Sequence, residues 1–276
     1  MPFLLSLTRK LPLLILLSLV LLSCKDSAEN KQQKSTNAET ESQENPLRVL
    51  IVLTSQKTIG DADMETGFWL EEFASPYYTM LDQGIELEIA TPIGGKAPID
   101  PRSMEDGALT TAAKRYLSDT QAQQRVATTR KLSTIDASNF DGIFNPGGHG
   151  PMWDLAESEV SAALIEDFYR DDKPIGMVCH APAALKGAVA PNGDPLIKGK
   201  KVTGFTNDEE KAVNLADKVP FLLETMLKEK GADFSKAPNF NVHVVEDDVL
   251  VTGQNPASAE KAAELFMEKL HENENN

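Results

Sequence analysis

Arg48 to Thr54 is an almost unbroken apolar, β-branched run, the pattern of a strand buried on both faces. The period then changes. From Gly67 to Leu81, Trp69, Phe73, Tyr77 and Met80 fall on one helical stripe. Glu71 lies nearly opposite that stripe and reads as a solvated charge; Glu72 borders it, where a carboxylate can be partly buried or pair with a base at the rim. Ile85 to Thr91 alternates as a second strand, and Pro92 to Pro101 is a Gly/Pro-rich loop. Thr110 to Leu132 is polar and helical in part. Phe140 to Pro146 holds a short strand that ends in Gly147-Gly148-His149-Gly150, and Ser158 to Arg170 is an amphipathic helix. A third apolar run, Ile175 to Val178, leads into Cys179 and His180, and Lys201 to Gly204 is a further strand. Thr206 to Glu209 fits a capping box, which gives Glu209 a structural role; Glu210 reads as one more first-turn acid. Val219 to Lys230 is helical. Phe240 to Val245 and Val249 to Gly253 form a hairpin around 246–248. Pro256 opens a last helix with the stripe Ala259, Ala262, Ala263, Phe266, Leu270, and the acidic tail after His271 frays. Strands alternating with helices predict an α/β domain with a mostly parallel central sheet and helices on both faces.

The N-terminal stretch has a different character. Arg9 and Lys10 precede a short apolar core, Leu11 to Leu22, and Leu21-Leu22-Ser23-Cys24 resembles a bacterial lipobox. Residues 1–24 therefore read as a lipoprotein signal peptide with Cys24 as the lipidated residue, which places the chain at the bacterial cell envelope on a membrane anchor. Residues 25–45 contain no large apolar side chain and cannot offset the entropy of ordering, so they read as a disordered tether. Residues 46–276 form the folded domain.

Charge narrows the partners. The chain of 276 residues carries a formal net charge of -15, and that field argues against nucleic acid. Its two cysteines, Cys24 and Cys179, form no C-x-x-C pair and no disulfide framework. His149 and His243 show no recognisable metal-ligand spacing, so no metal is expected, and no cofactor is called for.

The candidate chemistry lies at Pro174 to Ala184, P-I-G-M-V-C-H-A-P-A-A. A strand, a sharp turn and a helix start put Cys179 where a strained elbow would lift a nucleophile above the sheet. A helix N-terminus beside the sulfur favours thiolate over thiol. On this stretch alone, a buried structural cysteine fits as well. The glycines at 147 and 148 let backbone N–H groups approach a ligand, or form a plain tight turn.

Seven strings occur in order: T-G-F-W-L-E-E at 66–72, I-D-P at 99–101, N-P-G-G-H-G-P-M-W-D-L at 145–155, V-C-H-A-P-A-A-L at 178–185, G-K-K-V-T-G-F-T-N-D-E-E at 199–210, V-P-F-L-L-E at 219–224 and V-T-G-Q-N-P-A-S-A at 251–259. Together, across Leu47 to Leu270, they resemble the ThiJ/PfpI superfamily, whose fold is class-I glutamine-amidotransferase-like. The nearest branch is that of glutathione-independent glyoxalase III enzymes and small heat-shock chaperones. The resemblance implies Cys179 as nucleophile, His180 and Glu210 as its triad partners, and Glu72 as a second acid beside the thiolate, its pKa raised by the neighbouring charge; a thiol pKa at or above that of free cysteine would count against this arrangement. It implies oxyanion donors at Gly147 and Gly148, with His149 lining the pocket. The implied activity converts methylglyoxal, a small reactive aldehyde, to lactate; the alternatives are a stress-related holdase chaperone and a cysteine peptidase or amidase. Homodimers are frequent in the family. Two departures stand out: Ala181 replaces the glycine usual after C-H and narrows the pocket, and Ser75 replaces a frequent histidine and bears on substrate choice.

Overall fold

The computed structural model describes residues 46–60 and 64–274; the leader, the tether and Cys24 lie outside them. Strand β1 (Arg48–Val52) is followed by α1 (Leu70–Leu81), β2 (Glu86–Thr91), α2 (Thr111–Ser118), α3 (Thr120–Ala127), β3 (Arg130–Lys131), β4 (Gly142–Asn145), α4 (Glu159–Arg170) and β5 (Ile175–Val178). Next come β6 (Lys201–Val202), α5 (Asn207–Ala212), α6 (Leu223–Glu229), β7 (Asp233–Phe234), β8 (Val244–Asp247), β9 (Leu250–Gly253) and α7 (Ala259–Glu274).

Seven strands form one sheet in the order β3-β2-β1-β4-β5-β9-β8. Every pairing is parallel except β8 against β9, the predicted hairpin, which closes more tightly than the sequence suggested, on Asp248 at φ 57°. All side chains of β4, β5 and β9 are buried, as expected for parallel strands covered on both faces. Helices α1 and α7 pack together on the sheet, where Phe266 meets Phe144 edge to face at 5.5 Å; α4 packs against β4 and β5.

The differences from the sequence reading have local causes. The polar stretch from Thr110 resolves into two short helices because Asp119 caps α3, its side chain accepting from the N–H groups of Gln121 and Ala122. Strand β6 does not join the main sheet; it pairs with β7, a two-residue strand too short to show periodicity. Helix α6 starts at Leu223, three residues beyond Pro220, and α7 stays helical to Glu274 rather than fraying after His271. The capping box forms as expected: Thr206 Oγ1 accepts from Glu209 N–H, and Glu209 accepts from Thr206 N–H.

This topology fixes where a site can lie. The chain runs outward from β1 through β2 to β3, then returns to place β4 on β1's other side. The carboxyl ends of β1 and β4 thus flank a topological switch point, the usual crevice for a ligand in open α/β sheets.

Strand β5, which carries the elbow, has no room for a larger residue at its centre. A Cβ on Gly176 would lie 2.3 Å from Phe144 Cδ2 and 3.1 Å from Phe266 Cδ2, rings that are themselves fully buried. Gly176→Ala is expected to cost about 1–3 kcal/mol by overpacking, read as a lower urea midpoint with unchanged slope.

Candidate active site

Cys179 follows β5 directly and adopts φ 60°, a left-handed conformation that costs a non-glycine residue roughly 1–2 kcal/mol. Two backbone bonds hold it there. Its N–H donates to Gly253 O at 2.8 Å, and its carbonyl accepts from Phe205 N–H at 2.9 Å. The turn throws the thiol back toward the loop after β4 and the first turn of α1. Among the described residues it is the one free thiol, and it is 3 % exposed.

The segments that follow β1, β4 and β6 converge on it. His180, the next residue, places Nδ1 3.2 Å from Cys179 Sγ and Nε2 2.7 Å from Glu210 Oε2. Glu210 reaches the site because the capping box starts α5 there, and its other oxygen, Oε1, lies 2.9 Å from His149 Nε2. From α1, Glu72 arrives fully buried; its Oε2 accepts the Gly147 N–H at 2.8 Å, and its carboxyl neighbours the thiol. The loop after β4 fits only as glycine: a Cβ on Gly147 would sit 2.5 Å from Val178 O, and one on Gly148, at φ 88°, 2.4 Å from Gly67 O.

The electrostatics follow from this crowding. Burial pushes the Glu72 carboxyl up to about 8, against hydrogen bonds from Cys179 and Gly147 that act the other way. Burial also pushes the Cys179 thiol well above its ordinary value, reinforced by the charge of Glu72 and opposed by the Gly148 N–H. The thiolate favoured by the sequence reading is therefore not the resting state. Thiol and carboxylic acid are both held neutral, because two anions cannot share so dry a space. Glu210 is the reverse case. Burial raises it, but the charge of His180 and hydrogen bonds from both histidines outweigh that, and its carboxyl lies well below the usual range.

The structure brings Cys179, His180, Glu210, Glu72, Gly147, Gly148 and His149 together. It redistributes their contacts: Gly147 N–H is taken by Glu72, and the Gly148 N–H points to the sulfur. His149 does more than line a pocket, since it shares Glu210 with His180 and its ring lies 4.1 Å from His180's. One ligand atom from each of His149, His180 and Glu210 lies within 4.8 Å of the others, a grouping that sequence spacing hid; the Nε2 of each histidine is already hydrogen-bonded to Glu210, each to its own carboxylate oxygen. Ala181 is fully buried beside the elbow. Ser75 opens on a surface groove with Glu71, Thr110 and Glu260. Glu71 is half-buried rather than solvated, because α2 packs beside α1 and Thr110 donates to its carboxylate. His243 hydrogen-bonds Ser235 Oγ at 3.0 Å.

Two residues were passed over in the sequence. Asp154, within P-M-W-D-L, accepts from Thr54 Oγ1 and from the N–H groups of Ser55 and Gln56, and so ties the loop after β1 to the loop after β4. Arg102 directly follows the I-D-P string and reaches His149. The strings themselves were the only signal for either.

The family profile described as the DJ-1/PfpI family matches residues 64–270. Glyoxalase 3 of Candida albicans is 28% identical over 227 residues, 79% of this chain and 96% of that protein. The glutathione-independent glyoxalase HSP31 of Saccharomyces cerevisiae is 28% identical over 239 residues, 82% of this chain and 98% of that one. Among solved structures, the Rapid Encystment Protein 24 KDa of Francisella tularensis superposes with a TM-score of 0.78 at 36% identity, covering 81% of this chain and 99% of that one. Glyoxalase III from Candida albicans superposes with a TM-score of 0.75 at 27% identity, covering 81% and 97%.

Glu72 gives a test of these electrostatics. Its folded pKa, about 8, exceeds the ordinary glutamate value of 4.5, so between those values the native state holds a proton that the unfolded chain has released. Stability falls as pH rises through that window, by up to about 1.4 kcal/mol per pH unit. Glu72→Gln keeps an acceptor for Gly147 and removes the titration. The variant is expected to be a few kcal/mol more stable than wild type at pH 8, with the gap closing by pH 5, in urea titrations across that range.

Proposed function

The chain belongs to the DJ-1/PfpI family, and from that premise we propose that it is a glutathione-independent glyoxalase, a lyase-type enzyme that converts methylglyoxal and water to lactate. The carrying observation is Glu72. Hydrolysis by a cysteine needs a base and an orienting acid, which His180 and Glu210 supply. Moving a hydrogen between adjacent carbons needs a further acid–base group at the reacting carbon, and a carboxyl held neutral beside the thiol meets that need.

His180 Nδ1 takes the proton of Cys179, and the sulfur bonds to the aldehyde carbon while the carbonyl π pair moves to oxygen. Glu72 gives that oxygen its proton, forming a hemithioacetal. The resulting Glu72 carboxylate removes the hydrogen on the same carbon to give an enediol, and a proton returned to the neighbouring carbon leaves a lactyl thioester. Water then adds to the thioester as the Glu72 carboxylate, ionised again after returning that proton, takes one of its protons; the departing sulfur recovers its proton from the His180 cation, which releases lactate and restores the resting acid, base and thiol. No outside oxidant is required, since one carbon is oxidised as its neighbour is reduced. Glu210 stabilises the His180 cation at 2.7 Å while it holds the thiol proton, and the Gly148 N–H, hydrogen-bonded to the sulfur, stabilises the thiolate as it forms.

The sequence further supports a lipid on Cys24 that holds the domain at a bacterial envelope membrane, and a homodimer is the assembly in keeping with the family.

Residues 46–276 supplied with methylglyoxal and no glutathione should form lactate, and Cys179→Ser should form none. Glu72→Gln should fall at least about 100-fold in kcat while staying folded. Lactate at the wild-type rate from Cys179→Ser would overturn the thiol mechanism; release of ammonia from small amides with no lactate would favour a hydrolase. For the anchor, the full chain expressed in a bacterium should sediment with membranes and carry a diacylglyceryl mass on Cys24, and Cys24→Ser should be soluble.

A further inference from the structure

The carboxylate of Glu210 serves two imidazoles, and the second is itself held. Arg102 NH2 lies 3.1 Å from His149 Nδ1. A guanidinium can only donate, so Nδ1 accepts and the proton of neutral His149 sits on Nε2, from which it donates to Glu210 Oε1 at 2.9 Å. Arg102 is fixed in turn. Its Nε donates to Asp100 Oδ1 at 2.9 Å, and its NH2 pairs with Asp100 Oδ2 at 2.5 Å. Asp100 is fully buried and anchored by Thr66 Oγ1 at 2.9 Å and by the N–H of Arg102 at 3.0 Å.

We propose that Arg102 is a positioning residue that acts through His149: by fixing the Nε2–H tautomer it holds Glu210 on His180, and so aims the His180 Nδ1 lone pair at Cys179. The inference rests on the thiol mechanism above. Its physical content is a comparison of tautomers. With the proton on Nδ1, the Nε2 lone pair of His149 would face Glu210 Oε1, and the two acceptors would repel. Relief would come either from Glu210 turning off His180 or from His149 gaining a second proton. A His149 cation would then compete with His180 for one carboxylate. Both routes loosen the 2.7 Å bond that orients His180. The charged groups facing His149 are Arg102 from the loop after β2, His180 from the elbow and Glu210 from α5. Burial, and then the charge of His180, hold its pKa down to about 4 against the pull of Glu210, and Arg102 adds to that effect.

The test reads the tautomer and the thiol directly, without substrate, so its failure is distinct from failure of the glyoxalase reading. Protein labelled with 15N-histidine should show His149 protonated on Nε2 in the wild type. In Arg102→Leu the freed Nδ1 should take up a second proton beside that on Nε2, and alkylation of Cys179 by iodoacetamide at pH 7 should slow about 10-fold, the loss of one charge-assisted hydrogen bond. Arg102→Lys, which restores a donor, should recover the Nε2–H signature and most of the rate. A wild-type spectrum with the proton on Nδ1 would overturn the proposal with no variant needed. So would Arg102→Leu that keeps both the tautomer and the alkylation rate. Should Arg102→Leu fail to fold, Arg102→Met carries the test: it also offers His149 no donor, and an unchanged tautomer and alkylation rate overturn the proposal.

Discussion

The left-handed backbone of Cys179 is the constraint on which the site depends. At φ 60° the chain reverses at the end of β5 and keeps the thiol over the sheet instead of on either face. The conformation is disfavoured for a side chain with a Cβ, and the fold offsets it locally. The N–H of Cys179 continues the β9 ladder to Gly253, and its carbonyl takes the Phe205 N–H, so the strained residue loses no backbone bond. The same turn brings the His180 N–H close to where a Gly147 side chain would be, which leaves glycine as the residue that fits there. That glycine in turn presents its N–H to Glu72. One unfavourable dihedral thus determines what β4's loop may contain and where α1 may put its acid.

Three buried glutamates show how donors, rather than burial, decide the role of a carboxylate. Glu72 has one backbone donor and a thiol for company, and burial keeps it a neutral acid. Glu210 has two imidazoles and is kept an anion. Glu209, equally buried, accepts from Thr206 N–H, Phe240 N–H, Gln254 Nε2 and Asn255 Nδ2. It therefore serves as a junction joining α5 to the loops around β8 and β9. A buried carboxylate with a full set of donors is structural, and one that lacks them has a proton to move.

Much of this was legible in the residues. Parallel strands show as unbroken apolar runs, and the capping box located α5 to the residue and gave Glu209 its structural role before any coordinates, whereas Glu210 was singled out only by the family resemblance. Strand β7 was not legible, because two residues carry no period. Nor was the half-burial of Glu71, which depends on α2 arriving from forty residues away. The resting state of Cys179 was misread for a related reason. A helix start beside a sulfur is a local feature visible in sequence, whereas the desolvation that overrides it comes from the whole shell of neighbours.

The hardest element to see was the Asp100–Arg102–His149 arm. None of its members has an apolar period or a known spacing to the others, and Arg102 and His149 lie 47 residues apart. What joins them is the carboxyl-end crevice, which gathers the loops after β1, β2, β4 and β5 at one rim whatever their separation along the chain. The elbow residues, Cys179 and His180, are neighbours in sequence and could be found as a motif. Their protonation states are set by residues brought in by topology. The arm supplies the asymmetry between two otherwise similar histidines on one carboxylate: the one with arginine on its far nitrogen has to donate to Glu210, and the one with a thiol there is free to accept a proton. That asymmetry assigns the base.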